Sequence, residues 1–174
     1  RSTHVGRAAT VLAAALVATA CGGGTSDEAL PTTAPTVVAT TAPAAPVVQA
    51  ISGSQVDFGD ALTQDTVLWF WARGDHIVNE RTSVAEAQQE FGQDVQFIGI
   101  AGQDDTEAIA AFVDDFGLGG FEHIADSGGE IWSAFGVSAQ PAYVFINDDG
   151  TMARQVGALD NEQFIAALTE LTSD

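Results

Sequence analysis

The chain has 174 residues, one Cys, no Lys, and a formal net charge of −19 from 24 acidic and five basic side chains. That length admits one domain of ordinary size plus a tail. A single Cys excludes an intramolecular disulfide, a CxxC dithiol and a thiolate zinc cluster within one chain. So few cations exclude a phosphate-binding footprint, and with it nucleic acid as a partner. An anionic membrane surface would repel the body of the protein as well. All aromatic residues fall at or after Phe58, which places the core in the C-terminal part of the chain.

Residues 1–20 read as an export signal. Arg1 and Arg7 make a basic start, and Ala8 to Ala20 is an uncharged run. That run is shorter than the roughly 20 residues a helix needs to cross a bilayer. The first residue is Arg1, and a native start upstream of it is expected. The segment Ala18-Thr19-Ala20-Cys21-Gly22 resembles a bacterial lipobox, with Ala18 where Leu, Val or Ile is usual. The resemblance implies cleavage before Cys21 and lipidation of its sulfur. Two or more acyl chains give stable anchoring where one does not. The alternative is a plain secretory signal with an incidental Cys. Residues 21–50 are rich in Ala, Thr and Pro, contain Pro31, Pro35, Pro43 and Pro46, and hold no aromatic residue. They read as a tether, because proline disfavours helix and little apolar surface offsets the entropy of ordering.

Residues 51–174 carry 22 acids and three Arg, interleaved with apolar positions as in a solvated acidic surface. Thr66 to Trp71 is a continuous apolar run rich in β-branched and aromatic residues, which predicts a buried central strand. His76 to Phe91 reads as a helix with a weak apolar stripe. Val95 to Ile100 is a second strand. Ile109, Phe112, Val113 and Phe116 follow helical spacing, with Asp104 and Glu107 as a capping-box-like start. After a short strand, Ser127 and Glu130 give the same signal for a helix carrying Ile131, Trp132 and Phe135. Ala142 to Ile146 is a further strand. Asn147-Asp148-Asp149-Gly150 is a turn signal, and Thr151 to Gly157 returns from it as a hairpin strand. Asp160 and Gln163 open a last helix that aligns Phe164, Leu168 and Leu171. The order predicts an α/β fold with a mixed sheet and helices on both faces.

The segment Val67-Leu68-Trp69-Phe70-Trp71-Ala72 resembles the strand that leads into the redox motif of thioredoxin-like proteins. The chain is identified as similar to the TlpA/ResA/DsbE group of thiol-disulfide oxidoreductases, and within it to secreted actinobacterial DsbE-like proteins. Phe97 to Gly102 resembles the next strand of that family, and Asp104 to Phe116 its characteristic αβ insertion. Ala125-Asp126 through Val137 resembles the helix before the proline loop. Gln140-Pro141-Ala142-Tyr143-Val144-Phe145 resembles the loop that carries the family's cis-proline, and Pro141 is the only proline after Pro46. The resemblance covers nearly all of residues 55–172. It implies a thioredoxin-like fold and a cis Gln140–Pro141 bond; without it, a trans proline at a strand start would serve.

The departure from that family lies at its motif. The family places Pro-Trp-Cys-x-x-Cys after Phe-Trp-Ala, whereas this chain has Arg73-Gly74-Asp75-His76-Ile77-Val78. Asp75 and Val78 stand at the two cysteine positions, and Ser83 replaces a proline further along the helix. Thiol–disulfide exchange needs a thiolate to attack and a second thiol to resolve; neither Asp nor Val supplies one, and Cys21 is either lipidated or removed. No catalytic residue is therefore expected at Asp75 or Val78.

Asp75 reads most simply as a helix N-cap and His76 as a surface residue. A metal site from Asp75, His76 and Glu80, with His123 or Glu122 at a distance, lacks the usual tight spacing, so no metal or other cofactor is expected. The residues that the resemblance places at a peptide-binding groove are Trp71, Gly74, Asp75, His76, Gln140 and Pro141. Main-chain pairing in such a groove needs no cysteine. The expectation is a binding module for extended peptides or envelope proteins, on the outer face of the cytoplasmic membrane if lipidated and secreted otherwise. The alternative is a residual enzyme using a thiol in trans, or metal or acid–base chemistry at Asp75 and His76.

Overall fold

A computed structural model of the chain describes residues 47–61, 63–74 and 77–173. The chain runs β1 (Val47–Gln49), β2 (Gln55–Asp57), α1 (Phe58–Ala61), β3 (Thr66–Trp71), α2 (Ile77–Phe91), β4 (Gln96–Gly102) and α3 (Thr106–Asp115). It continues through β5 (Glu122–Asp126), α4 (Glu130–Ala134), β6 (Ala142–Ile146), β7 (Met152–Val156) and α5 (Asn161–Leu171). Five strands form one mixed sheet in the order β5-β4-β3-β6-β7. β3, β4 and β5 run parallel, and β6 and β7 pair antiparallel. The predicted mixed α/β architecture is therefore the one observed, with α3 and β5 forming a helix and strand where the αβ insertion was expected and β5 as an edge strand.

Strand β3 explains the centre of the fold. All six of its residues are buried, because helices cover both faces of the sheet and each face must be apolar. Alternation sends Val67, Trp69 and Trp71 to one side, where they join Ile109 and Val113 of α3 and Phe164, Leu168 and Leu171 of α5. Leu68 and Phe70 join Phe58, Ile131, Phe135 and Val56 on the other side. Each such large apolar side chain stabilises the fold by about 1.5–3 kcal/mol relative to exposure. Helix α5 has the expected start: Asp160 accepts from the Gln163 amide at 2.8 Å, and the Gln163 side chain accepts from the Asp160 amide at 3.1 Å. That reciprocal pair satisfies two otherwise orphaned donors.

Several local expectations are corrected. Residues 47–49, assigned to the tether, form β1 and pair antiparallel with β2. Asp105, not Asp104, caps α3, accepting from the Ala108 amide at 2.8 Å. The N-cap of α4 is Gly129, whose φ of 74° suits a residue without a side chain. Ser127 instead donates to the Asp104 carbonyl at 2.5 Å. Strand β4 extends two residues beyond Ile100, to Gly102. The helix placed at His76 to Phe91 is described from Ile77. The expected signal, the expected lipidation site at Cys21 and residues 22–46 of the tether lie outside the described residues.

Candidate functional site

The site is a cleft of about 420 Å³ at the C-terminal end of β3, lined by Trp71, Ala72, Gly74, Ile77, Glu80, Gln140, Pro141 and Ala158. Each wall has a sequence cause. Trp71 ends β3 and is itself fully buried, so it serves at once as core and as cleft floor. Ile77 and Glu80 are three residues apart on α2, hence on one helix face. The Gln140–Pro141 peptide is cis, as the resemblance implied. Among the described residues, the Gln140 backbone makes no hydrogen bond to another backbone group, and Gln140 is exposed. Of the six groove residues named from the sequence, the structure brings Trp71, Gly74, Gln140 and Pro141 together. Asp75 and His76 fall outside the described residues. Val78 lies within α2.

The two rims are held independently. Arg73 bonds Asp104 in bidentate fashion, Nε to Oδ2 at 2.8 Å and Nη2 to Oδ1 at 2.9 Å. This hydrogen bond lowers the Asp104 carboxyl below its ordinary range and raises the guanidinium of Arg73. Through Asp104 and Ser127 the loop after β3 is tied to the loops that follow β4 and β5. On the other rim, the Gly157 amide donates to the Pro141 carbonyl at 2.8 Å. Arg154 Nη1 donates to the carbonyls of Phe135 at 3.2 Å and Gly136 at 2.7 Å.

Charge inside the cleft is sparse. Among its described lining residues Glu80 is the one ionisable side chain, and it is 5% exposed. Tyr143 lies nearby; burial first, then the charge of Glu80, opposes ionisation of its hydroxyl. Glu80, Ile77, Ala72 and Ala158 were not foreseen as cleft residues. The helical spacing of Ile77 and Glu80 was a usable signal, whereas nothing local marks Ala158.

His123 and Glu122 lie on β5, away from any such grouping. Among the described residues no three His, Cys, Asp or Glu side chains gather as metal ligands. His123 is buried (1% exposed), and its Nε2 meets the Leu118 carbonyl at 3.0 Å. A carbonyl only accepts, so Nε2 carries the proton and Nδ1 keeps its lone pair. Burial lowers the His123 pKa to about 4, against the raising effects of Leu118 and Glu122. The ring packs edge-on to Trp69 and Trp71 over Gly99, its register partner on β4. A β-carbon on Gly99 would stand 2.1 Å from His123 Nδ1. Among the described residues, the indole nitrogens of Trp69 and Trp71 and His123 Nδ1 are buried without a hydrogen-bond partner.

No family model matches the chain. Among curated proteins it is similar to the soluble secreted antigen MPT53 of Mycobacterium tuberculosis and Mycobacterium bovis, 29% identical over 126 residues, which are 71% of this chain and 72% of the relative. Among solved structures it is similar to MTB dsbF, at 29% identity and a TM-score of 0.70, covering 73% of this chain and 95% of that one. It is also similar to a secreted Mycobacterium tuberculosis disulfide oxidoreductase homologous to E. coli DsbE. There the identity is 28% and the TM-score 0.67, with 72% of this chain and 96% of that chain covered.

Proposed function

We propose that this chain, a TlpA/DsbE-type thiol-disulfide oxidoreductase-like protein with the thioredoxin-like fold, is a redox-inactive member that holds extended peptides in its proline-loop cleft. The observation that carries this reading is the cleft beside the cis Gln140–Pro141 bond, where Gln140 is an exposed residue whose backbone makes no hydrogen bond to another backbone group among the described residues. An extended segment would pair with that backbone as an added strand does, through main-chain groups that are independent of any cysteine. The absence of thiols from residues 51–174 removes both the attacking and the resolving group of the exchange reaction. The relatives are a secreted antigen and a secreted oxidoreductase, which supports an extracytoplasmic setting. The lipobox-like segment at Cys21 supports attachment to the outer face of the cytoplasmic membrane.

Insulin reduction by the purified protein tests the inactive assignment: turnover equal to the buffer control is expected, and turnover above it overturns the reading. The double variant Asp75→Cys with Val78→Cys tests the placement of the lost motif. Formation of a disulfide between these positions is expected; its failure to form in a folded protein places the motif elsewhere. Fatty-acid labelling tests the anchor, which fails if Cys21 takes up no label.

A further inference from the structure

We propose that the outer edge of β7 is a docking surface for a second copy of this chain, paired antiparallel about a two-fold axis so that one sheet runs through both molecules. The proposal is independent of the groove reading. It starts from the strand order, which leaves two edges, β5 and β7. An open edge offers unpaired N–H and C=O groups to any strand that meets it, and proteins that stay apart cover or charge such edges. β5 is treated in both ways. The Ile51 amide donates to the His123 carbonyl at 2.8 Å and the Ser52 hydroxyl to Glu122 Oε2 at 2.6 Å, which lays the turn after β1 over that edge. Glu122 and Asp126 give the same strand its charge.

β7 has neither protection among the described residues. Its ladder with β6 is closed at the two ends by the Asn147 amide on the Thr151 carbonyl at 2.9 Å and the Gly157 amide on the Pro141 carbonyl at 2.8 Å. Alternation therefore turns the backbone groups of Met152, Arg154 and Val156 away from β6. The Gln155 side chain donates to the Val156 carbonyl at 3.2 Å, and among the described residues none of these three makes a backbone hydrogen bond outside the ladder. The strand holds no Pro and no Lys, and its register with β6 runs without a bulge. Arg154 does not guard the edge, because its guanidinium is turned to the carbonyls of Phe135 and Gly136. Val156 is 50% exposed.

Charge selects the occupant. Of the 22 acids in residues 51–174, only Asp148 and Asp149 fall between Ile131 and Leu159. β7 thus lies in an acid-poor stretch of a strongly acidic molecule, where two copies can meet without facing carboxylates. A basic partner would be drawn to the acidic parts of the chain instead, and an acidic one would find the single Arg of this stretch already engaged. Antiparallel pairing in reverse order sets Arg154 against Arg154 and Met152 against Val156, apolar beside apolar, as a two-fold contact requires. The guanidiniums stay turned to the carbonyls of their own chains. Repulsion between two bodies of charge −19 opposes pairing at long range and is screened by salt. A contact along a five-residue strand falls short of the roughly 1,000 Å² of a stable interface, so the dimer is weak and depends on concentration.

Sedimentation equilibrium of the full chain, over about 10 μM to 1 mM and with a reducing agent to prevent a Cys21 disulfide, tests the proposal. A monomer–dimer equilibrium is expected, at least threefold tighter in 0.5 M than in 0.05 M NaCl. Amide exchange locates the contact: the Arg154 and Val156 amides are expected to slow as protein concentration rises. Val156→Glu, which puts an acid on the edge, is expected to weaken the dimer at least tenfold. Phe116→Glu makes the same charge change at another exposed apolar residue, far from β7 in the strand order, and is expected to leave the dimer constant within threefold. Circular dichroism establishes that each variant is folded. A chain that stays monomeric at every concentration and salt overturns the proposal. So does a dimer that weakens in salt, that survives Val156→Glu, that is lost equally in Phe116→Glu, or that leaves the two β7 amides unprotected.

Discussion

Lowering the pH from 7.5 to 4 forces a proton onto His123, and the fold opposes this. The ring is buried against Trp69, Trp71 and Phe121, and its pKa falls from the ordinary 6.5 to about 4. The unfolded chain therefore takes up the proton first. Stability contributed by the neutral ring is complete above about pH 6.5 and is lost progressively as the pH falls towards 4. Below that the ring is charged in both states and the dependence flattens. At about 1.36 kcal/mol per decade, the full loss is about 3 kcal/mol, a large share of a typical stability of about 5–15 kcal/mol. Urea unfolding at a series of pH values, for the native protein and for His123→Phe, isolates this contribution. The substitution leaves every acidic residue in place, so the difference between the two proteins reports the ring. The native protein is expected to lose about 3 kcal/mol more than the variant between pH 7.5 and 4, with unchanged m-values. Parallel stability curves for the two proteins would refute the argument.

Three further outcomes follow from packing and capping. Gly99→Ala puts a β-carbon 2.1 Å from His123 Nδ1 and is expected to cost on the order of 1–3 kcal/mol, as overpacked cores do; combining it with His123→Ala should cost less than the two single changes added together, as measured by thermal melting. Asp105→Ala is expected to destabilise α3 by about 1 kcal/mol, because it removes the acceptor for the Ala108 amide, whereas Asp104→Ala leaves that cap in place; amide exchange at the start of α3 separates the two. Leu168→Ala, at a fully buried position of α5, is expected to cost about 2–5 kcal/mol in denaturant titration.

What the sequence disclosed depended on how local the cause was. Strands 66–71 and 142–146 were legible to the residue, because a strand buried on both faces reads as an unbroken apolar run. Helix α5 was legible because its cap and its apolar stripe agree. The start of α3 was misplaced by one residue for a tertiary reason. Asp104 and Asp105 suit a cap equally by type, but the side chain of Asp104 is taken by Arg73, 31 positions earlier. The hairpin of β1 and β2 was missed because three-residue strands leave no periodicity to detect. The cis-proline wall of the cleft was legible through resemblance alone. The interlock of Gly99 with His123 depends on the register of β4 with β5, which no local pattern encodes. Glu80 was noticed as a ligand candidate and not as a cleft residue, although its spacing from Ile77 already set both on one helix face.

The hydrogen bonds around the proline loop have a mechanical consequence. Strand β7 holds both ends of the segment from Gly136 to Pro141: Arg154 grips the carbonyl of Gly136, and the residue just past the strand, Gly157, donates to Pro141. The loop and β7 are thus framed as a single body, like a hinge leaf fastened at two points. The opposite rim answers to a different anchor, the Arg73–Asp104 pair, which is solvent-facing and weakened by salt. Room for a bulkier occupant would come from that second rim giving way, while the proline side keeps its shape and its backbone register.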